Sequence, residues 1–141
     1  MARRDASDLY GDEHVRKYRE TGGEYGHDWR RGSSTLLLTT TGRGSGEPRT
    51  TPLIYGRSGD AYLVVASNGG SARPPGWFVN LRANPEVEVQ VLDDTFRARA
   101  RVATPEEKPA MWREMTSHWP AYDSYQKRTD REIPVVVLER T

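Results

Sequence analysis

Strict alternation of apolar and polar residues marks the second half of the chain. Glu86–Leu92 (EVEVQVL) places its three valines on one face. Thr95–Ala103 (TFRARARVA) alternates apolar residues with arginines in the same way. Asp93 and Asp94 separate the two segments, so we predict a β-hairpin with one face exposed to water.

Four further segments are rich in β-branched and apolar residues and are predicted as strands. They are Thr35–Thr41, Arg49–Tyr55, Ala61–Ser67 and Ile133–Leu138. Turns that contain glycine, at 42–48 and 57–60, separate the first three. Because Pro52 has no N–H for a strand ladder, its strand is expected at a sheet edge or a bulge.

The segment before the first strand carries a helical signal. Asp8–Thr21 is highly charged and predicts a helix that stops at two glycines. Its buried stripe should be narrow, with Val15 and Tyr18 inside and His14 exposed to solvent.

Three shorter helices are predicted among the strands. Trp77–Ala83 predicts the first, which an Asn-Pro pair ends. Thr104 and Glu107 have the spacing of a capping box, with proline at the first helical position, and predict the second. A short aromatic helix follows, with Tyr122 and Tyr125 on one face.

Six strands joined mostly by hairpins predict a mainly β (α+β) fold, a closed antiparallel barrel with peripheral helices. The length of 141 residues suits a single structural domain. Within it, we assign residues 1–34 to an N-terminal helix and connecting segment, and residues 35–141 to the barrel.

Composition excludes several classes of protein. Basic and acidic residues nearly balance, 21 against 20, so no nucleic-acid partner is expected. The chain has no cysteine, which excludes disulfides and thiol nucleophiles. No apolar run approaches the ~20 residues of a membrane-spanning helix, and no signal peptide follows Met1, so we expect a cytoplasmic protein.

Residues suited to metal or nucleophilic chemistry are not grouped in the sequence. The histidines at 14, 27 and 118 are isolated, so no metal site is predicted. The glycines at 42, 44 and 46 lack the Gly-Lys-Ser/Thr of a Walker loop and open a β-turn, not a helix. Any difficult chemistry is therefore expected to come from a bound cofactor.

The turn from Thr40 to Gly46, with Arg49 just beyond it, has the composition of an anion site. Glycines let successive backbone amides converge, and Arg43 and Arg49 would add charge-assisted hydrogen bonds. The alternative is a flexible hairpin turn with two solvated arginines.

Two further segments are candidates for a binding site. The loop from Ala66 to Trp77 joins a strand to a helix N-terminus through two glycines, which suits anion binding. The alternative is an ordinary connection in which Trp77 anchors the core. Trp119, Tyr122 and Tyr125 would line a cleft for a planar ring, or would simply pack a short amphipathic helix.

Seven short motifs together resemble the deazaflavin (F420)-dependent nitroreductase family. They are LLTTTGR (37–43), SGEPRTTPL (45–53), ASNGG (66–70), PGWFVNL (75–81), NPEV (84–87), WPAYDSYQ (119–126) and TDREIP (129–134). Their order and spacing extend from about Thr35 to the C-terminus.

The resemblance implies a six-stranded split β-barrel of the FMN-binding, pyridoxamine-phosphate-oxidase-like type. It implies an oxidoreductase that transfers a hydride from reduced coenzyme F420 to a quinone, a nitro compound or an activated enone. The alternatives are an FMN-dependent reductase with the same barrel and a non-catalytic F420-binding or carrier protein. A homodimer and peripheral membrane contact are compatible with the resemblance.

The resemblance also implies the site residues. Those expected at the cofactor are Thr41, Gly42, Arg43, Gly44, Ser45, Arg49, Thr51, Pro52, Leu53, Ala66, Ser67, Asn68, Gly69, Gly70, Arg73, Gly76 and Trp77. Those expected at the acceptor are Ile54, Trp119, Tyr122 and Tyr125. Ser67, Tyr122 and Tyr125 are the catalytic candidates, because their hydroxyls would hydrogen-bond the acceptor oxygen.

Overall fold

A computed structural model describes residues 3–141; Met1 and Ala2, where the predicted N-terminal segment starts, lie outside the described residues. The strands are β1 (Thr35–Thr41), β2 (Pro48–Ile54), β3 (Gly56–Ser58), β4 (Ala61–Val65), β5 (Glu86–Val91), β6 (Asp94–Val102) and β7 (Val135–Arg140). The α-helices are α1 (Gly11–Thr21), α2 (Gly76–Ala83), α3 (Lys108–His118) and α4 (Ala121–Lys127).

All seven strands belong to one curled antiparallel sheet, in the order β2-β1-β5-β6-β7-β4-β3. Its two edge strands, β2 and β3, are consecutive in the chain and only Tyr55 separates them. The chain therefore passes from one edge of the sheet to the other, and the sheet closes into a half-barrel at that point. The predicted split-barrel class is confirmed. The closed barrel that the hairpins predicted is wrong, because β2 and β3 are edges of the sheet and do not pair with each other.

The number of strands needs one correction, because the structure has seven where six were predicted. Residues 57–60 were predicted as a turn, but Gly56–Ser58 pairs with Ala61–Leu63 and only Gly59 and Asp60 turn. A three-residue strand without apolar alternation leaves no pattern to detect. Pro52 lies in the edge strand β2, as its missing N–H predicted.

The main core fills the concave face of the sheet. Alternate residues of β1, β5, β6 and β7 pack there against Trp77, Phe78 and Leu81 of α2. Along β4, Val64 belongs to this core, whereas Leu63 and Val65 pack with α3 and α4 on the opposite face. The period of two along each strand thus separates two apolar layers.

Helix α1 packs on the convex face of β1 through Val15 and Tyr18. The Tyr18 hydroxyl donates to the carbonyl of Thr35 at 2.9 Å and accepts from the amide of Leu92 at 2.8 Å. The expectation that His14 is exposed was wrong. It is buried, with ring Nε2 2.8 Å from the carbonyl oxygen of Gly26. That partner lies on the irregular segment after α1, which no helical pattern reveals.

Within residues 3–141, no helix has both the length and the apolar character that crossing a membrane requires.

Candidate cofactor site

The turn after β1 and the loop after β4 leave the half-barrel at the same end. Four successive antiparallel pairings lead from β1 through β5, β6 and β7 to β4. Strands β1 and β4 therefore run in the same direction. We call the end at which both strands finish the upper end of the barrel.

The barrel is split at this upper end. Strand β3 pairs with β4 only from Ala61 to Leu63, so the edge of β4 above Leu63 has no strand beside it. Within residues 3–141, β2 pairs with β1 alone, and its other edge is also free. We call the gap between these two free edges the split. Tyr55 marks its closed lower end.

Alternate residues of β2 line the concave side of the split. Arg49, Thr51 and Leu53 share a face with their partners on β1, which are Thr40, Leu38 and Leu36. Leu36 and Leu38 belong to the concave core and Leu53 packs against it. Arg49 is exposed near the top of the same face. Pro52 and Ile54 project to the convex side, so the sequence segment divides between two faces.

Asn80 of α2 fixes the turn after β1. Its Oδ1 accepts two hydrogen bonds from Arg43, one from the backbone amide at 3.2 Å and one from the guanidinium at 2.8 Å. Its Nδ2 donates to the hydroxyl of Thr40 at 3.2 Å. Asn80 is buried, so these bonds are shielded from water.

Gly42 leaves little room for a side chain, because a Cβ there would lie 3.2 Å from the Glu47 carbonyl oxygen and would displace the Ser45 hydroxyl. The amides of Gly44 and Ser45 have no hydrogen-bond acceptor within residues 3–141. Both residues are exposed. Together with Arg43, the turn presents donors and positive charge at the upper end.

The loop after β4 is held against α4. Gly70 has φ +81, and a Cβ on it would lie 2.5 Å from the carbonyl oxygen of Tyr125. Asn68 adopts φ 45, and its side-chain amide donates to the carbonyl of Arg73 at 3.0 Å. Ser67 is buried at the start of this loop. The loop therefore brings Ser67 and Gly70 close to the predicted acceptor residues of α4.

Aromatic residues gather on the convex side of the split. The indole N–H of Trp119 donates to the hydroxyl of Tyr125 at 3.3 Å, and Ile54 packs in the same cluster. The Trp119 ring stacks on Trp29 at 5.8 Å between centroids. Tyr122 is buried in this cluster, and burial raises the pKa of its phenol.

The remaining predicted residues occupy different environments. Trp77 is buried in the concave core, which favours the core-packing alternative for its ring. Gly76 is exposed at the first position of α2, and Arg73 is exposed in the loop before it. No hydrogen bond within residues 3–141 joins the turn at Arg43 to the loop after β4.

The charges at the upper end suit an anionic ligand. Arg43, Arg49 and Arg73 form no ion pair within the described part of the chain. Arg101, by contrast, pairs with both Glu107 and Glu139. Unpaired guanidinium groups beside free backbone amides are the donors that phosphate and carboxylate groups prefer. The donor set therefore fits the phosphate and polyglutamate tail of coenzyme F420.

Two residues that organise the site had no predicted role. Asn80 holds the turn, and Arg131 donates to three backbone carbonyls of the loop after β4. Both lie inside motifs that carry the resemblance, PGWFVNL and TDREIP. The motifs mark their segments, but only the tertiary structure shows what their side chains contact.

The curled sheet and the split define a split-β-barrel protein. The exposed Arg43, Arg49 and Arg73 at its upper end, which we call the basic rim, suit an anionic ligand. The family model for F420H(2)-dependent quinone reductase matches residues 11–140. The chain belongs to this family, and the predicted family resemblance is confirmed.

Individual relatives agree with the family model. An F420H(2)-dependent quinone reductase of Mycobacterium tuberculosis is 46% identical over 126 residues, which are 87% of this chain and 85% of the relative. The structure of an F420-H2 dependent reductase (FDR-A) aligns with TM-score 0.69 and 40% identity, over 74% of this chain and 93% of that one. A structure described as a domain-swapped dimer aligns with TM-score 0.72 and 36% identity, over 90% and 98%.

Proposed function

We propose that this F420-dependent oxidoreductase uses a quinone as its acceptor and holds the cofactor in the split between β2 and β4. The family name supports both the cofactor and the acceptor. The observation that supports the location is the convergence of the turn at Arg43, the Arg49 face of β2 and the loop after β4 at one open end of the barrel.

The basic rim is proposed to bind the cofactor and to take no part in the chemical step. Arg43 and Arg49 hold the anionic tail through charge-assisted hydrogen bonds, and Asn80 keeps Arg43 in place. The amides of Gly44 and Ser45 add neutral donors at the same turn. Leu53 gives the concave side of the split an apolar wall that excludes water from the reacting atoms.

Reduced F420 supplies the hydride when it is bound. The protein's contribution is to orient the acceptor and to stabilise the charge that develops on its oxygen. Tyr125 suits this role, because its hydroxyl oxygen accepts from Trp119 and its own proton is free to donate. Burial raises the pKa of Tyr122, so its phenol stays protonated and acts as a hydrogen-bond donor. Ser67 is the third hydroxyl proposed at the acceptor.

The test is an anaerobic single-turnover reaction. Reduced F420 is mixed with the protein and a water-soluble quinone, and the return of oxidised F420 absorbance is followed. Oxidation that depends on both protein and quinone is the expected result. A protein that binds F420 tightly but gives no such oxidation across a quinone panel is a carrier. Faster turnover with reduced FMN than with reduced F420 identifies an FMN-dependent reductase.

The proposal includes a homodimer, which the domain-swapped dimer of a relative supports. Light scattering at several protein concentrations tests it, and a monomer mass at all of them contradicts it. Peripheral membrane contact stays a prediction. Tyr10 and Val102 are the exposed large hydrophobic residues within residues 3–141. Co-sedimentation with anionic lipid vesicles measures whether they suffice for binding.

A further inference from the structure

Arg131 holds the loop after β4 with three hydrogen bonds from one guanidinium group. Nη2 donates to the carbonyl of Ser67 at 2.7 Å, Nε to that of Ser71 at 2.9 Å and Nη1 to that of Ala66 at 3.2 Å. Arg131 forms no ion pair within residues 3–141. Its positive charge is therefore balanced by carbonyl dipoles alone among the described groups.

Each of these carbonyls shares a peptide unit with the amide of the next residue. The three amides are those of Ser67, Asn68 and Ala72. The described peptide bonds are all trans, so each N–H points away from its carbonyl and hence away from Arg131. None of the three amides has an acceptor within residues 3–141, although neighbouring Gly70 and Ser71 amides do.

The strand geometry gives the direction of the Ser67 amide. The amide of Ala66 donates to the carbonyl of Pro134, and the carbonyl of Ala66 accepts from Arg131, so both point to the β7 side of β4. The N–H of Ser67 is trans to the Ala66 carbonyl in the same peptide unit. It therefore points to the opposite side, toward the free edge of β4 that borders the split.

We propose that Arg131 is a positioning residue that fixes the amides of Ser67 and Asn68 as donors to a negatively charged oxygen in the split. The inference rests on the proposed function. A cation on the carbonyl side polarises each peptide unit and strengthens its N–H as a donor. The oxygen belongs either to the bound cofactor or to the acceptor as it gains charge, and the two are separated by the measurements below.

The test compares Arg131→Gln and Arg131→Lys with the wild-type protein. The dissociation constant of F420 is measured by fluorescence quenching, and the single-turnover rate with quinone is measured at saturating cofactor. Arg131→Gln is expected to raise the dissociation constant about tenfold or more if the oxygen is on the cofactor. It is expected to lower the single-turnover rate by a similar factor if the oxygen is on the acceptor. Lysine keeps the charge but loses the planar fork, so an intermediate effect is expected.

Arg128→Gln is the matched control. The Arg128 guanidinium also donates to a carbonyl of this loop, that of Gly69, at 3.3 Å. The amide of the same peptide unit, on Gly70, already donates to the carbonyl of Ser67 at 2.9 Å. Removing Arg128 therefore withdraws support from no unpaired amide, and less than about a twofold change in the F420 dissociation constant is expected. The Arg128 guanidinium also lies 5.5 Å from the centroid of the Tyr125 ring, so this control applies to the dissociation constant and not to the rate.

The inference is overturned if Arg131→Gln keeps the wild-type thermal unfolding midpoint and stays within about twofold of wild type in both measurements. A second readout needs no variant. The amide NMR signals of Ser67 and Asn68 should shift when F420 and then a quinone are added to the wild-type protein, and unshifted signals at saturation overturn the inference. Failure of the wild-type protein to bind F420 instead contradicts the proposed function itself.

Discussion

Asn80 holds Arg43 through a single oxygen, because its Oδ1 accepts hydrogen bonds from both the backbone amide and the guanidinium of that residue. Helix α2 thereby fixes the turn after β1, although the two are almost forty residues apart in sequence. The contact links the concave core to the basic rim, because Asn80 belongs to the helix that packs Trp77, Phe78 and Leu81 inside the barrel.

Replacing Asn80 with alanine is expected to weaken both stability and cofactor binding. The substitution leaves the Thr40 hydroxyl and the Arg43 amide without their buried partner, which costs about 1–3 kcal/mol of unfolding free energy. Chemical denaturation measures this loss, and a quenching titration measures the accompanying rise in the F420 dissociation constant. Asn84→Ala is the control, because Asn84 is exposed at the end of the same helix. Equal F420 affinity in a folded Asn80→Ala protein would show that the turn does not contact the cofactor.

Arg49 is expected to act on binding and not on the chemical step. Arg49→Ala removes an exposed, unpaired charge from the β2 face of the split and should raise the F420 dissociation constant about tenfold. Single-turnover oxidation at saturating cofactor should change much less. Arg97→Ala, an exposed arginine on the convex face of β6, controls for net charge. Unchanged affinity in Arg49→Ala refutes the anion-binding role.

Trp119 is expected to affect the acceptor more than the cofactor. Its ring stacks on Trp29 and its N–H binds Tyr125. Trp119→Ala should therefore raise the KM for a quinone by about five- to tenfold while the F420 dissociation constant stays close to wild type. Tyr10→Ala is the control, because it removes an exposed aromatic ring outside this cluster and should leave the KM for a water-soluble quinone unchanged. A larger effect on the F420 dissociation constant than on the quinone KM would contradict the assignment of Trp119 to the acceptor site.

Glu107 predicts a specific dependence of stability on pH. Two hydrogen bonds from the Arg101 guanidinium and one from the backbone amide of Thr104 lower the pKa of Glu107 to about 2. The folded state therefore binds this proton less readily than the unfolded chain, and the resulting stabilisation is complete above the usual value of 4.5. It is lost as the pH falls from there toward about 2.

The measurement compares unfolding free energy at about pH 6 and about pH 3. Glu107→Gln should show a smaller loss between the two than the wild-type protein. Glu106→Gln is the matched control, because Glu106 is exposed and makes no hydrogen bond or ion pair within residues 3–141. The same pH dependence in Glu107→Gln and wild type would contradict the proposed cause.

The sequence predicted the elements whose signal is local. Alternation in Glu86–Leu92 and Thr95–Ala103 predicted the hairpin that became β5 and β6. The reciprocal bonds of the capping box are present, with the Thr104 amide bound to Glu107 and the Glu107 amide bound to Thr104. They precede the helix, however, because α3 begins at Lys108 and not at Pro105 as predicted. Signals that depend on distant partners were missed or misread. His14 is buried because the chain after α1 folds back and offers the Gly26 carbonyl, and nothing in the helical pattern encodes that return.

The candidate site shows the same division. Glycines and arginines marked the turn at Arg43 and the loop after Ser67, because their composition is unusual over a few residues. The role of Arg131 in holding the loop after β4 could not be predicted, because it depends on contact between the C-terminal segment and a loop some sixty residues earlier in the chain. The assignment of the acceptor to Ile54, Trp119 and Tyr125 stays a prediction, although the structure places these residues in one cluster.

The most direct test of the account is a titration of the protein, freed of bound cofactor, with F420 and FMN side by side, read out by fluorescence quenching. F420 is expected to bind saturably at lower concentration than FMN, because the arginines and free amides of the upper end suit a long anionic tail better than a single phosphate. Tighter binding of FMN, or no saturable binding of F420, would contradict it.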